Sequence, residues 1–284
     1  TKMALTVATN TGALMAQAAA SSVNKDMEMS MERLATGKRI NGAADDAAGV
    51  AIASRLTSEI RGTNQAIRNA MDGQALIDTA EGAHDEIENI LQRMRELAVQ
   101  SANDTNDSND RANLTAEVTA LASEIDRIAA VTTWAGQGLL DAASGATNTF
   151  NLHVGSKVTA NDYLAVSVSG MSSTLLSVSI GSSGIQVNSA SNARSAITAI
   201  DTAITSVNTQ RAALGAISNR LDSTVNNLTN ISTNLQSGLS RIEDADFAAE
   251  TTSLAKSQIL QQASTAMLAQ ANASKQNVLS LLQG

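Results

Sequence analysis

From Ala193 to Ile242 an apolar or small residue recurs every three or four positions: Ala193, Ile197, Ile200, Ile204, Val207, then Leu214, Leu221, Val225, Leu228, Leu235, Leu239 and Ile242. Steps of 4 and 3 draw one narrow stripe, so the pattern predicts a single helix of about 75 Å at 1.5 Å per residue, which needs partner helices to cover it. Arg211, Ser218 and Ser232 break the stripe, with Ile217 and Ile231 one place earlier. We read these polar exceptions as a solvated edge where the seam drifts. A second stripe runs through Ile77, Ala80, His84, Ile87, Leu91, Met94 and Ala98, on a helix expected to begin near Leu56 and to end at Asn103. The polar run from Asn103 to Asp110 competes with helical hydrogen bonding and supplies caps for a third stripe, Leu114, Val118, Leu121, Ile125 and Ile128. Two such helices joined by a short turn make an antiparallel hairpin that the long helix can cover.

Between Trp134 and Asn188 the period changes to 2. Phe150, Leu152 and Val154 alternate with polar neighbours, as do Leu164, Val166 and Val168, then Leu176, Val178 and Ile180. Glycines at 155, 170, 181 and 184 mark turns, which predicts a small antiparallel β region, too small for a catalytic domain. Residues 1 to 45 and 243 to 284 are rich in Ala, Gln, Asn, Ser and Thr. Neither end carries enough apolar surface to offset an ordering cost of about 1 to 2 kcal/mol per residue. Both are expected to be loose in a monomer and to pair as helices when neighbouring copies surround them, which points to a polymer.

Composition sharpens this picture. Hydrophobic residues make up 43% of the 284, enough for a core, yet aromatics are only 1%. Seams of closely packed helices can be built from Ala and Leu, whereas a ligand pocket draws on rings. Proline and cysteine are both absent, so no prolyl isomerisation delays refolding and no disulfide or thiolate chemistry is available. A chain exported unfolded and refolded outside the cell would gain from both absences. The net charge of -8 repels phosphate backbones and anionic lipid, so neither nucleic acid nor membrane is expected as a partner. No run approaches the roughly eighteen to twenty apolar residues of a membrane span. Ala13 to Ala20 has a faint signal-peptide look, but Gln17 interrupts it, and an Ala-rich helix start is the preferred reading.

Candidate chemistry is sparse, with no catalytic, cofactor-binding or metal site expected. His84 and His153 are the only imidazoles, lie far apart and lack ligand spacing around them. A calcium loop over Asp104 to Asp110 fails because Asn109 stands where Gly is wanted and Thr115 where a bidentate Glu is needed. Gly136-Gln137-Gly138 reads as a plain turn, and no HExxH, GxSxG or P-loop pattern occurs. An enzyme is not expected.

The run Glu32-Arg33-Leu34-Ala35-Thr36-Gly37-Lys38-Arg39-Ile40-Asn41-Gly42-Ala43-Ala44-Asp45-Asp46-Ala47-Ala48-Gly49-Val50-Ala51-Ile52-Ala53 closely resembles the signature segment of bacterial flagellins. Physically, Gly37 can end one helix, Arg39 to Asn41 can cross in extended form, and Asp45-Asp46 can sit at the positive end of the next helix. Asn89 to Asn103 is similar to the family's central helix, and Glu124 to Ile128, Thr132-Thr133-Trp134, Gly136 and Leu139-Leu140-Asp141 resemble the segments that follow it. Ile242 to Ala248 and Gln258 to Ala263 resemble the family's carboxyl-terminal region. Trp134 departs from the usual Phe and Ala44 from a frequent Lys.

The resemblance implies a mainly α fold: a long antiparallel helical bundle or coiled coil with a small antiparallel β region, and paired terminal helices forming an inner domain. Residues 1–45 would be the N-terminal arm of an inner filament-core domain, 46–142 the N-terminal helices of an outer rod domain, 143–190 its β region, 191–242 its long C-terminal helix, and 243–284 the C-terminal arm of the inner domain. It implies a structural, secreted, extracellular subunit that polymerises with itself after type III export, aided by an export chaperone, cap and junction proteins. Inner packing is expected from Leu5, Leu14, Leu34, Ile259, Leu260, Leu279, Leu281 and Leu282. It also implies host innate-immune contacts at Gln92, Arg93, Leu97, Gln100 and Glu117, and a plant-receptor epitope with polar contacts at Lys38, Arg39, Asp45 and Asp46. A hook-filament junction protein is the near alternative. A surface polysaccharide-binding module using the Ser/Thr-rich β region is the distant one, poorly supplied with rings to stack on sugars.

Overall fold

In the computed structural model the described residues are 9–141, 147–180 and 184–283, with side chains described as far as 274. Five helices dominate: α1 (Thr11–Thr36), α2 (Ala47–Ser101), α3 (Ser108–Val131), α4 (Ala190–Glu243) and α5 (Phe247–Gln283). Four strands lie between α3 and α4: β1 (Thr133–Trp134), β2 (Gln137–Gly138), β3 (Thr147–His153) and β4 (Tyr163–Ser169). The chain divides into two compact units, one of residues 1–58 with 234–284 and the other of 59–233.

The second unit is built on the three predicted stripes. Ile77, Ile87, Leu91 and Met94 of α2, Val118 and Ile125 of α3, and Ile200, Val207, Leu214 and Leu221 of α4 are all fully buried in one apolar core. The α2–α3 turn is closed by Asp107, whose carboxylate accepts from the N–H groups of Asn109 and Asp110, while the Asp110 carboxylate accepts from the Asp107 N–H. This reciprocal capping box satisfies donors that a helix start leaves open. The acidic run is thereby committed to starting α3, with Asp104 3.6 Å from Arg111.

β3 and β4 pair antiparallel with Phe150 opposite Val166 and Leu152 opposite Leu164, and their inward residues Leu164, Val166 and Val168 join the core. The third alternating run, Leu176, Val178 and Ile180, does not form a strand. Leu176 and Val178 are buried, but the segment is a series of turns pinned to α3, where the Asp126 carboxylate accepts from the N–H and the hydroxyl of Ser173. Alternation here reports which side chains enter the core, without a ladder behind it. Ser232 is likewise not on a solvated edge: it is buried and its hydroxyl donates to Asn64 on α2 at 2.9 Å. Arg211 reaches back to α2, 2.5 Å from Glu88 and 3.5 Å from Asp85. α2 begins nine residues before Leu56, because Asp46 accepts from the Gly49 N–H and caps it at Ala47.

In the first unit α1 and α5 pair antiparallel within one chain, where composition had suggested pairing only among neighbouring copies. A 3–4 seam that mixes small and polar residues with a few larger apolar ones makes this possible, and it shapes the candidate site.

Candidate functional site

The α1–α5 pair meets along positions that step by 3 and 4. On α1 these are Ala13, Ala16, Ala20, Val23, Met27, Ser30 and Leu34; on α5 they are Glu250, Leu254, Ser257, Gln261, Ser264, Leu268 and Ala271. All are half-buried or buried, whereas the residues between them are mostly exposed. Polar contacts fix the antiparallel register: Asn10 Nδ2 donates to the Ala271 carbonyl, Gln261 Nε2 to Asn24 Oδ1, and Arg33 lies 3.8 Å from Glu250.

This distribution is inverted relative to an ordinary helical hairpin. Alanine and serine fill much of the inside, while Leu14 (55% exposed), Met15 (75%), Ile259 (67%), Leu260 (42%) and Met267 (65%) point out. Met29, Met31 and Phe247 are exposed as well. An alanine in a seam hides little more than a methyl group, about 0.8 kcal/mol, against about 1 to 2 kcal/mol of ordering cost per residue. Val23, Met27, Leu34, Leu254 and Leu268 repay part of that cost inside the seam, and the exposed apolar groups can add to it only against something outside the pair.

The inner-packing residues expected from sequence therefore separate. Leu14, Ile259 and Leu260 lie on the exposed faces; Leu34 closes the seam of its own hairpin. Leu5 falls outside the described residues, and Leu279, Leu281 and Leu282 lie in α5 beyond the last described side chain. Met15, Met29, Met31 and Met267 were missed, although their placement off the 3–4 seam was the available signal.

The hairpin is tied at its open end by the segment between α1 and α2. Gly37 ends α1 in the left-handed conformation (φ 72°), its N–H donating to the Arg33 carbonyl. Glycine's freedom lets the chain turn back sharply at this point. The Arg39 N–H donates to the Glu243 carbonyl at 2.6 Å, the Ala245 N–H to the Gly37 carbonyl at 3.0 Å, and the Arg39 guanidinium to the Ile242 carbonyl at 2.8 Å. Lys38 pairs with Glu243 at 2.9 Å. The Asp45 carboxylate accepts from the N–H groups of Asn41 and Gly42, which hold it below the usual carboxylate range. Ile40 is buried beneath this corner. Lys38 and Arg39 are thus engaged with the end of α4, Asp45 with the loop itself and Asp46 with the start of α2.

The other predicted contact set lies on the second unit. Gln92, Arg93, Gln100 and Glu117 are exposed, and Arg93 bridges α2 to α3 by donating to Glu117 at 2.8 and 3.1 Å while also reaching Glu96 at 3.0 Å. Leu97 does not belong with them. It is 1% exposed and packed in the core, because its position falls on the buried side of α2, so no partner can touch it in this conformation.

Comparison with known proteins points to one family. The profile of the bacterial flagellin N-terminal helical region matches residues 7–145, and that of the bacterial flagellin C-terminal helical region matches 197–282. A flagellin of Halalkalibacterium halodurans is 46% identical over 256 residues, covering 90% of this chain and 92% of the relative. A flagellar filament 33 kDa core protein of Treponema phagedenis is 40% identical over 283 residues, covering 96% of this chain and 98% of the relative. Among solved structures, that of a Bacillus cereus flagellin aligns at 32% identity with a TM-score of 0.47, covering 61% of this chain and 94% of that one.

Proposed function

The chain belongs to the bacterial flagellin family, and from that premise we propose that it is a structural subunit that polymerises with copies of itself into an extracellular flagellar filament. The observation that carries this reading is the inverted hairpin, which hides its small residues and presents Leu14, Met15, Ile259, Leu260 and Met267. Such faces, on two helices held in register, suit burial against the same faces of neighbouring copies. A filament stiff enough to turn torque into thrust needs this repeated contact. The finer expectations, delivery by an export chaperone and folding beneath a cap with junction proteins at the base, rest on the family.

The test is seeded growth followed by electron microscopy. The chain elongates on filament fragments, whereas Leu14→Asp with Ile259→Asp leaves a monomer of unchanged helix content. Filaments from the double variant at the rate of the parent would count against assembly through these faces.

A secondary reading concerns host receptors. Gln92, Arg93, Gln100 and Glu117 form one exposed polar strip over α2 and α3, which supports contact by an innate-immune receptor without Leu97. Arg93→Ala lowers receptor binding if the strip is the contact, and unchanged binding would remove it. Lys38, Arg39, Asp45 and Asp46 are tied into the corner of the fold, so plant-receptor recognition of this epitope would require the segment released from the folded chain.

A further inference from the structure

We propose that the exposed methionines of the α1–α5 hairpin are an oxidation site that switches off assembly of the free subunit while leaving built filament unaffected. This inference rests on the assembly reading above and adds a chemical control to the same surface.

Its basis is how methionines are distributed. The chain has nine methionines and no cysteine, so its thioethers are the groups a mild two-electron oxidant meets. On the hairpin, Met15 is 75% exposed, Met29 40%, Met31 44% and Met267 65%. In the other unit Met94 and Met171 are buried at 0% and 3%, and Met71 alone is exposed. Among the described residues, with Met27 half-buried in the seam, the accessible thioethers are therefore concentrated where the chain has most to lose. A leucine face of equal area would assemble equally well and would not be oxidised.

The reaction balances with hydrogen peroxide as oxidant. A sulfur lone pair attacks one peroxide oxygen, the O–O bond breaks, an S=O bond forms and water leaves after proton transfer. Sulfur loses two electrons and peroxide gains them. The sulfoxide is polar and a strong acceptor, and covering it without a donor disfavours burial. On the assembly reading the same sulfurs are covered by neighbours in filament, so attack falls on subunits not yet added. Sulfoxide reductases, one for each epimer, return the thioether and the competence to assemble, with a dithiol as reductant that is oxidised to its disulfide while the sulfoxide oxygen leaves as water.

The experiment uses the full chain. Monomer is treated with hydrogen peroxide, mapped by peptide mass spectrometry and added to seeds; preformed filament receives the same treatment. We expect sulfoxide at Met15, Met29, Met31, Met267 and Met71 but not at Met94 or Met171, and seeded elongation slowed about tenfold or more, as burial of several unpaired polar groups demands. Both reductases together, supplied with a dithiol reductant, restore the rate, and treated filament keeps its length and its hairpin thioethers. The variant Met15→Leu, Met29→Leu, Met31→Leu, Met267→Leu, compared only with its own untreated sample, loses most of the sensitivity, whereas Met71→Leu keeps it. Oxidised parent that elongates as fast as untreated parent overturns the proposal, as does a fourfold variant equally inhibited by peroxide. If the fourfold variant cannot elongate at all, reductase rescue of the parent decides: recovery supports the switch and no recovery overturns it. Untreated parent that never elongates is a different result, which removes the assembly reading and this inference with it.

Discussion

The charge of Arg211 on α4 bears on the fully buried imidazole of His84 on α2, and the guanidinium is held in place by Glu88 at 2.5 Å, Asp85 at 3.5 Å and Glu81 at 3.7 Å. Neither imidazole nitrogen has a hydrogen-bond partner among the described residues. Burial first, and the Arg211 charge second, push the His84 pKa down to about 4. An unfolded histidine titrates near 6.5, so between these values the unfolded chain binds a proton that the folded chain refuses. Stability of this unit therefore falls as pH drops from about 6.5 to about 4, by roughly 3 kcal/mol from this group, and levels off below. His84→Leu fills the same space without a proton to bind and flattens the profile in that window. Urea unfolding at pH 7 and pH 4.5, followed by the single Trp134, measures both slopes. Equal slopes in parent and variant would assign the acid sensitivity elsewhere.

Asp126 carries a load that an exposed residue on α3 rarely does. Its two oxygens take the N–H and hydroxyl of Ser173 at 2.8 and 2.9 Å, and Ser173 is buried. Asp126→Ala leaves two polar hydrogens of a buried residue unpaired, at a cost of about 2 to 3 kcal/mol. Asp126→Asn keeps the size and one acceptor and loses less. Thermal unfolding by circular dichroism ranks the three proteins, with the alanine variant lowest.

Ala135 holds φ at 49° beside Gly136 at 82° in the two-residue turn that joins β1 to β2. Paired left-handed residues suit the twist of a tight hairpin, but a Cβ at the first position strains it. Ala135→Gly raises stability by about 0.5 to 1 kcal/mol, the relief exceeding the extra freedom given to the unfolded chain. Unchanged or lower stability in urea titration would show that the strain is absorbed by neighbouring residues.

These features differ in how far the sequence reveals them. The stripes through Ile77 to Met94, Val118 to Ile128 and Ala193 to Leu228 are legible because large apolar residues at helical spacing have no other use in a polar chain. Leu176 and Val178 misled, since alternate burial in an irregular segment copies the period of a strand when the ladder partner is missing. Leu97 misled in the opposite sense: the family resemblance placed it among contacts, yet it belongs to the buried side of α2 with Met94 and Ala98. The hairpin seam stayed hidden because Ala, Ser and Gln dilute the apolar signal of Val23, Met27, Leu34, Leu254 and Leu268 at 3–4 spacing, while apolar Met15 and Ile259 lie off that stripe. What the sequence withholds is which side of a weakly patterned helix faces inward, and that is decided by a partner helix distant in sequence.

That partner is set by Asn24 and Gln261, whose side-chain amides meet at 2.9 Å across the seam. Small residues on either side would tolerate a slip by one heptad with little loss, so a polar pair is what discriminates the register. Asn24→Leu removes the acceptor and leaves the half-buried Gln261 amide without its partner across the seam, lowering hydrogen-exchange protection of α1 amides by about fivefold to thirtyfold, the equivalent of about 1 to 2 kcal/mol. Joining Gln261→Leu to it removes the stranded group and adds apolar area, so protection recovers to at least the parent level. The same double variant loses the register signal, and assembly, which needs α1 and α5 in one alignment in every copy, falls although the hairpin is more stable. Hydrogen exchange on the monomer and seeded elongation on the polymer therefore move in opposite directions. A double variant that gains in both would mean that the register is fixed by the corner at Lys38 and Glu243 instead.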